Sequence, residues 1–337
     1  MGMEKVVVRD SSQWEKHKKD GYLNGFSSYE HQYMDALKKI YEEGYSDGVN
    51  ERTGHETKRL PGVVFTVDVE KEFPILKSKK VYWKSAIEEI LWIMQKQSNS
   101  IKDLRPHIWD SWADEDGRIN SCYGYQVDRP VIVKLNGERR YYETQVHYVL
   151  DYLKENPQGR WAMITLWNPS ELYKMNLCPC CHTSTWNLDG GRLNCVLDQR
   201  SGDMPVGVPF NTTQYAALMH MFARHLGVKP GVLTHVIADA HIYDNQMDLV
   251  AEQLEGFQLL KEGWSIHDKA RIEFKEAEAL GLEHGKDGFV DGDFVRSARP
   301  TLVIASNEET DFWKLDISDF SLVDYVSNSF IPYPVVQ

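Results

Sequence analysis

Three of the five cysteines in the chain fall within LCPCCHTSTW, Leu177 to Trp186, and a histidine follows them directly. Thiolates ligate soft metals, and they attack electrophilic carbon. The spacing here speaks against a metal. Structural zinc takes two separated ligand pairs. Cys178, Cys180, Cys181 and His182 instead crowd into five positions, while Cys122 and Cys195 stand alone. On a strand, Cys178 and Cys180 would face one side and Cys181 the other. A nucleophile needs only one thiol, with neighbours that stabilise its thiolate and hold a substrate. Free cysteines also serve as small buried hydrophobes, and that use suits Cys122 and Cys195. No metal is expected, and these residues alone do not say which thiol of the cluster reacts.

The cationic residues suggest what such a thiol would work on. QRSGDMPVGVPFN places Arg200 and Ser201 together, and an arginine fork beside a hydroxyl suits phosphate. Arg52, in a Gly/Thr loop, is a second anion contact, and Arg160 follows a Pro-Gln-Gly turn. Any one of these arginines is equally well a solvated surface ion pair. Asn211 offers a paired donor and acceptor that can read the edge of a base. In ADAHIYDN, His241 and Tyr243 are two residues apart and share one face if the segment is a strand.

The elements that would position these groups follow from hydrophobic periodicity. Tyr33, Ala36, Leu37 and Ile40 recur at helical spacing and predict a helix from about Tyr29 to Glu43. VVFTVDV reads as a strand. WKSAIEEILWIMQKQ reads as a buried helix, with a glutamate set against an apolar surface. GRWAMITLW, GRLNCVLDQRS and LTHVIADAHIY are strand candidates. TTQYAALMHMFARHLG is a helix ending at Gly227, a natural C-cap. Residues 1–28 are polar and read as an extension, leaving 29–337 as a single domain of mixed α and β structure. No repeat, low-complexity tract or linker divides it.

Bulk properties narrow the function further. The 337 residues are 42% hydrophobic and 26% charged, ordinary for a soluble globular chain. No apolar run approaches a membrane span, and the N-terminus lacks a signal-peptide core. The odd, clustered cysteines do not form a disulfide framework, which fits the cytoplasm, or a host's cytoplasm for a phage protein. A net charge of −12 argues against nucleic acid as a partner. It leaves room for a local cationic pocket around one small anion.

ERTG, FPILKSKK, EILW, HIWDSWADEDG, YGYQ, NPQGR, LWNPSEL, Pro179–Cys180, QRSGDMPVGVPFN and DAHIYDN occur in that order. Together they make the chain, from about Tyr29 onward, resemble thymidylate synthase and the pyrimidine nucleotide hydroxymethylases. The resemblance implies a mixed sheet covered by helices, with one sheet face forming a homodimer interface. It selects Cys180 as nucleophile, because the family's nucleophile lies twenty residues before the arginine of Arg-Ser, here Arg200. Cys181 then stands where the family often has histidine. The implied chemistry is attack of Cys180 on C6 of dUMP, after which C5 accepts a one-carbon unit from 5,10-methylenetetrahydrofolate. Glu89 matches the glutamate that organises proton transfer, and Tyr123 the tyrosine associated with loss of the C5 proton. Asn211 matches the reader of the pyrimidine edge, where relatives acting on cytosine carry Asp. His241 and Tyr243 match deoxyribose contacts. Arg52, Arg200 and Ser201 match phosphate contacts, and Arg160 an arginine that reaches the partner's phosphate across the dimer. Lys79, Ile108, Trp109, Trp112, Leu177, Asp203, Gly207 and Phe210 match the folate site.

Three departures stand out. Trp161 occupies the place of a second interface arginine. GRINSCYG, before YGYQ, is closer to a phage hydroxymethylase than to common synthases. The chain ends IPYPVVQ, without the further residues that close over the folate in family synthases. Hydride transfer needs water kept out. An open site would let water add to the C5 methylene, so the expectation is a dUMP 5-hydroxymethylase. The alternative is a thymidylate synthase making dTMP and dihydrofolate, and a remoter one is a non-catalytic nucleotide-binding homologue.

Overall fold

A computed structural model describes residues 25–105, 107–261, 298–305, 311–328 and 330–336. Residues 1–24 of the expected extension and Gln337 lie outside the described residues. The core begins at Phe26, which is fully buried.

Helix α1, Ser28–Glu43, starts where the Ser27 hydroxyl accepts the Glu30 N–H at 3.1 Å. Glu72 accepts the free N–H groups of Ser28 and Tyr29, placing a carboxylate at the positive end of the helix. The predicted stripe is its buried face, with Tyr33, Leu37 and Ile40 at zero exposure. Helix α2, Trp83–Met94, buries eight of its twelve residues, Glu89 among them. The short helix α3, Gly124–Val127, and helix α4, Gln145–Glu155, come next. Helix α5, Gly207–Leu226, closes on Gly227 in the left-handed conformation, φ 68°. It begins earlier than TTQYAALMH suggests because Pro209 lies in its first turn, where the missing N–H has no helical partner to lose. Helix α6 is Met247–Lys261.

The main sheet joins β1 (Thr57–Asp68), β4 (Met163–Thr165), β5 (Cys181–Asp189), β6 (Arg192–Gln199) and β8 (Lys229–Tyr243) in the order β1-β8-β6-β5-β4. The short strand β7, Gly202–Asp203, pairs with the end of β8. The pairing β6–β8 is parallel; β1–β8, β5–β6 and β4–β5 are antiparallel. Two hairpins lie outside the main sheet: β2 (Val131–Leu135) with β3 (Glu138–Tyr142), and β9 (Thr301–Ile304) with β10 (Phe320–Val323).

Helix α5 covers one face of this sheet and packs against α2, so Trp186 of β5 meets Phe222 of α5 in the core. The opposite face leaves Val64, Thr66, Met163 and Thr165 exposed. Cys122 and Cys195 are buried among apolar neighbours, as their isolation suggested. Strand β5 starts at Cys181, so Cys178 and Cys180 lie in the loop before it rather than on one strand face. Among the described residues no helix is long and apolar enough to cross a membrane.

Candidate active site

Cys180 ends the loop leading into β5, and two backbone contacts fix it there. Its N–H donates to the Tyr123 hydroxyl at 3.2 Å, and its carbonyl accepts the Arg200 N–H at 2.9 Å. The Arg200 guanidinium fills the curl of this loop. Nε donates to the Pro179 carbonyl and Nη2 to the Cys178 carbonyl, and Nη2 lies 3.9 Å from the Cys180 sulfur. The Trp167 ring sits 5.8 Å from the guanidinium carbon. Burial raises the Cys180 pKa, while the positive charges of Arg200 and Arg52 pull it back.

Cys181 differs from its neighbour in kind. Gln199 Nε2 donates to the Ser201 carbonyl at 2.9 Å, which fixes the amide, since a carbonyl only accepts. Gln199 Oε1 therefore accepts from both Cys181 Sγ at 3.3 Å and His235 Nε2 at 2.7 Å. Cys181 is thereby held as a thiol, and burial pushes its pKa well above the ordinary value. His235, pushed down to about 3 by burial, is a neutral ring with its proton on Nε2. The strand pairing Cys181↔Gln199 sets this up; both thiols line one cavity, and the Arg200 guanidinium lies at the Cys180 sulfur.

That cavity, of about 500 Å³, is lined by Glu89, Ile108, Trp109, Trp112, Tyr123, Leu177, Cys180, Gly207, Phe210 and Asn211. Glu89 is 7% exposed, and Trp109 Nε1 donates to it at 3.1 Å. Burial raises the Glu89 carboxyl to about 7, the range in which it can both give and take a proton at neutral pH. Tyr123 stands at φ 39°, ψ −103°, a conformation that is costly for a residue with a side chain. Gly124 beside it is obligatory: a Cβ there would lie 2.2 Å from the Ser98 carbonyl oxygen. Burial keeps the Tyr123 hydroxyl protonated. Asn211 lies on α5, with Nδ2 donating to Gln214 Oε1 at 3.1 Å.

The remaining expected residues ring this centre, with one exception. His241 and Tyr243, at the end of β8, pack edge to face at 4.9 Å. Asp203 pairs with His241 across β7 and β8, and Gln246 Nε2 donates to it at 3.1 Å. Shielding from water raises the Asp203 pKa. Lys79 Nζ donates to the Pro205 carbonyl and lies 5.0 Å from the Tyr333 ring; burial lowers its pKa to about 8. Ser201 follows β6, its carbonyl tied to Gln199. Arg52 lines a neighbouring polar cavity with Asp47, Asn50, Thr57 and Arg59, and its charge reaches both Cys180 and Tyr243. Arg160 is the exception. It stands exposed in the turn between α4 and β4 and lines neither cavity. Trp161 beside it is 58% exposed, its ring parallel to that of Tyr152.

Sequence reasoning did not mark Gln199, Gln214, His235 or Val335. Gln214 lies one helical turn beyond Asn211, a spacing that could have found it. Val335 lines the cavity, and the segment before it is pinned. The Tyr333 hydroxyl donates to Gln253 Oε1 at 2.7 Å, and the Pro334 carbonyl accepts from Gln246 Nε2. Among the described residues no group of three or more His, Cys, Asp or Glu is placed to hold a metal ion.

Comparison with known proteins agrees with this geometry. The sequence model of the thymidylate synthase family matches residues 31–279. Thymidylate synthase of Clostridium beijerinckii is 45% identical over 231 residues, covering 68% of this chain and 82% of that one. Thymidylate synthase of Bacillus phage phi3T is 37% identical, covering 77% and 96%. The solved structure of thermostable thymidylate synthase A from Bacillus subtilis superimposes with a TM-score of 0.72 at 32% identity, covering 92% of this chain and 99% of that one. The mixed sheet with its helices is thus the thymidylate synthase fold, and the chain is an enzyme of the thymidylate synthase family.

Proposed function

We propose that this enzyme is a thymidylate synthase, converting dUMP to dTMP with 5,10-methylenetetrahydrofolate. The observation that carries the reading is the gathering of Cys180, Glu89, Tyr123 and Asn211 around one cavity, with Arg200 behind the thiol. In this reading Arg200, Ser201 and Arg52 take the phosphate, and His241 and Tyr243 take the deoxyribose. Asn211 reads the base edge. A second copy covers the outer sheet face bearing Val64 and Met163, and Arg160 reaches the partner's phosphate from there. Trp161 leaves that contact one guanidinium short. The partners are small molecules and a second copy of the chain, not nucleic acid or membrane.

The chain's own groups account for the activation of the base. The Cys180 thiolate, stabilised by Arg200, adds to C6, and the displaced π electrons move toward C5 and the C4 oxygen. Glu89, titrating near neutrality, relays a proton to that oxygen through water. Tyr123 stays a neutral phenol, so it orients the water that takes the C5 proton rather than taking it as a phenolate. The folate fits the apolar side of the cavity. Trp109, Trp112, Phe210 and Leu177 would hold a flat heterocycle, with Ile108 and Gly207 beside it, and Lys79 and Asp203, outside this lining, would take the rest of the folate. When bound, 5,10-methylenetetrahydrofolate supplies the one-carbon unit and the hydride.

The hydroxymethylase expectation rested on the short IPYPVVQ end, and two observations favour the synthase instead. Val335 already lines the cavity, and the relatives compared above carry the synthase name. The test is a mass spectrum of the nucleotide formed from dUMP, taken with the absorbance of dihydrofolate. A methyl product with stoichiometric dihydrofolate supports the reading. A hydroxymethyl product without dihydrofolate overturns it.

A further inference from the structure

Gln214 is a buried polar residue of the cavity that the proposed chemistry leaves unused. It is 2% exposed, lines the cavity, and its Nε2 is buried without a hydrogen-bond partner. Its amide lies between two groups the reading does use. On one side Gln214 Oε1 accepts Asn211 Nδ2 at 3.1 Å. On the other, the Gln214 side chain is close enough to Glu89 to favour its charged form. The direction of the dipoles in this row follows from Glu89 in its charged form, which is favoured above about pH 7. The Trp109 indole can only donate, and it donates to Glu89. In its charged form Glu89 presents only acceptors, which suits Gln214 with Nε2 on the Glu89 side and Oε1 taken by Asn211. Asn211 then turns Nδ2 toward Gln214 and keeps Oδ1 free.

We infer that Gln214 sets the choice between uracil and cytosine by locking the amide of Asn211 in one orientation. This rests on the reading of Asn211 as the base contact. An unrestrained asparagine can rotate its amide by half a turn and suit either base. Uracil presents N3–H and a C4 oxygen. Cytosine presents a bare N3 and a C4 amino group. With Oδ1 free and the second Nδ2 hydrogen available, Asn211 matches uracil. To match cytosine it must turn Oδ1 toward Gln214 Oε1, and that contact is repulsive. Turning Gln214 as well brings Oε1 against the Glu89 carboxylate, which is again repulsive. Rejection of cytosine is thus built two residues behind the residue that touches the base.

The test is the ratio of dissociation constants for dCMP and dUMP, measured by calorimetry on the intact wild-type protein and two variants. Gln214→Leu frees the Asn211 amide and is expected to lower the preference for dUMP by roughly ten-fold. Gln214→Glu keeps an acceptor for Asn211 Nδ2 and is expected to retain the preference, even where the extra carboxyl beside Glu89 slows turnover. A merely structural role would weaken both nucleotides together and leave the ratio unchanged. An unchanged ratio in Gln214→Leu overturns the inference, as does an equal loss of preference in Gln214→Glu. Where Gln214→Leu fails to fold, Gln214→Met makes the same comparison. Wild-type protein that does not bind dUMP overturns the functional reading, and with it this one, before any variant is needed.

Discussion

Replacing Arg200 with glutamine should slow alkylation of Cys180 by a factor that the geometry bounds. The guanidinium nitrogen is 3.9 Å from the sulfur. A unit charge at that distance is worth about 4 kcal/mol at an effective dielectric of about 20, or about 3 pKa units. Arg200 is only half-buried, and doubling the dielectric to allow for its wetted side halves this to about 1.5 units. The sign is fixed: a cation stabilises thiolate, so its loss raises the pKa and lowers the thiolate fraction at any neutral pH. A more basic thiolate is also a better nucleophile, with a Brønsted slope of about 0.45, which returns nearly half of the loss. The net decrease at pH 7.5 is roughly 7- to 50-fold. Iodoacetamide without nucleotide isolates this effect from phosphate binding, and peptide mass mapping separates Cys180 from Cys178. Because burial already holds the Cys180 pKa high, the wild-type rate should itself rise steadily with pH through neutrality. An Arg200→Gln protein alkylated at the wild-type rate, with its fold intact by circular dichroism, would refute the claim that this arginine activates the thiol.

Three further outcomes follow from the same geometry. Glu89→Gln should lose turnover yet gain stability above neutral pH. The folded carboxyl titrates at about 7 against 4.5 unfolded, so the wild type loses stability as pH rises between those values, by about 3 kcal/mol at most; denaturant melts at pH 5 and pH 8 read the difference, and equal shifts at both would contradict it. Cys180→Ser should abolish turnover while sparing dUMP binding. Cys181→Ser, which still donates to Gln199, should keep activity within about ten-fold; the reverse pattern in product assays would reassign the nucleophile. Val335→Gly should let water into the cavity and divert part of the product to 5-hydroxymethyl-dUMP, and a purely methyl product would show that Val335 does not guard the intermediate.

The fold's long elements were legible because each repeats one signal over many residues. Helix α1 and strand β8 fall where the periodicity put them. Helix α5 was read from Thr212 because Gly207 and Pro209 resemble a loop, although a first helical turn tolerates both. The β2–β3 hairpin was not read, although Asn136–Gly137, both at positive φ, is a turn signal in plain sight. At the site, the family resemblance nominates Cys180, Glu89, Tyr123 and Asn211, while the residues alone leave the choice of thiol open. The contrast between Cys180 and Cys181 was not legible from composition, because it depends on Gln199 and His235, which arrive from other strands. The resemblance assigns Arg160 to the phosphate of a partner copy, and in a single copy of the chain it stands exposed in an outer turn.

Three residues that break local rules line one cavity. Tyr123 holds a positive φ without being glycine. Glu89 is a carboxyl buried against Trp109 with no cation bonded to it. Gln214 buries an amide nitrogen without a partner. Each costs on the order of 1–3 kcal/mol where folding alone is concerned. All three line the cavity that Cys180 faces. Such features are not confined to the cavity: Gln97 and Asn120 also hold positive φ, and Glu30 Oε2 and His220 Nε2 are buried without a hydrogen-bond partner, whereas Glu72 caps a helix and Tyr333 finds Gln253. A site shaped to receive a polar, planar ligand can leave hydrogen bonds unmet where that ligand sits, as at Gln214 Nε2. A bound nucleotide that meets the Asn211 amide held by Gln214 should stabilise the protein beyond what filling space supplies. The thermal shift on adding dUMP should accordingly be smaller in Gln214→Leu than in wild type, even at concentrations that saturate both.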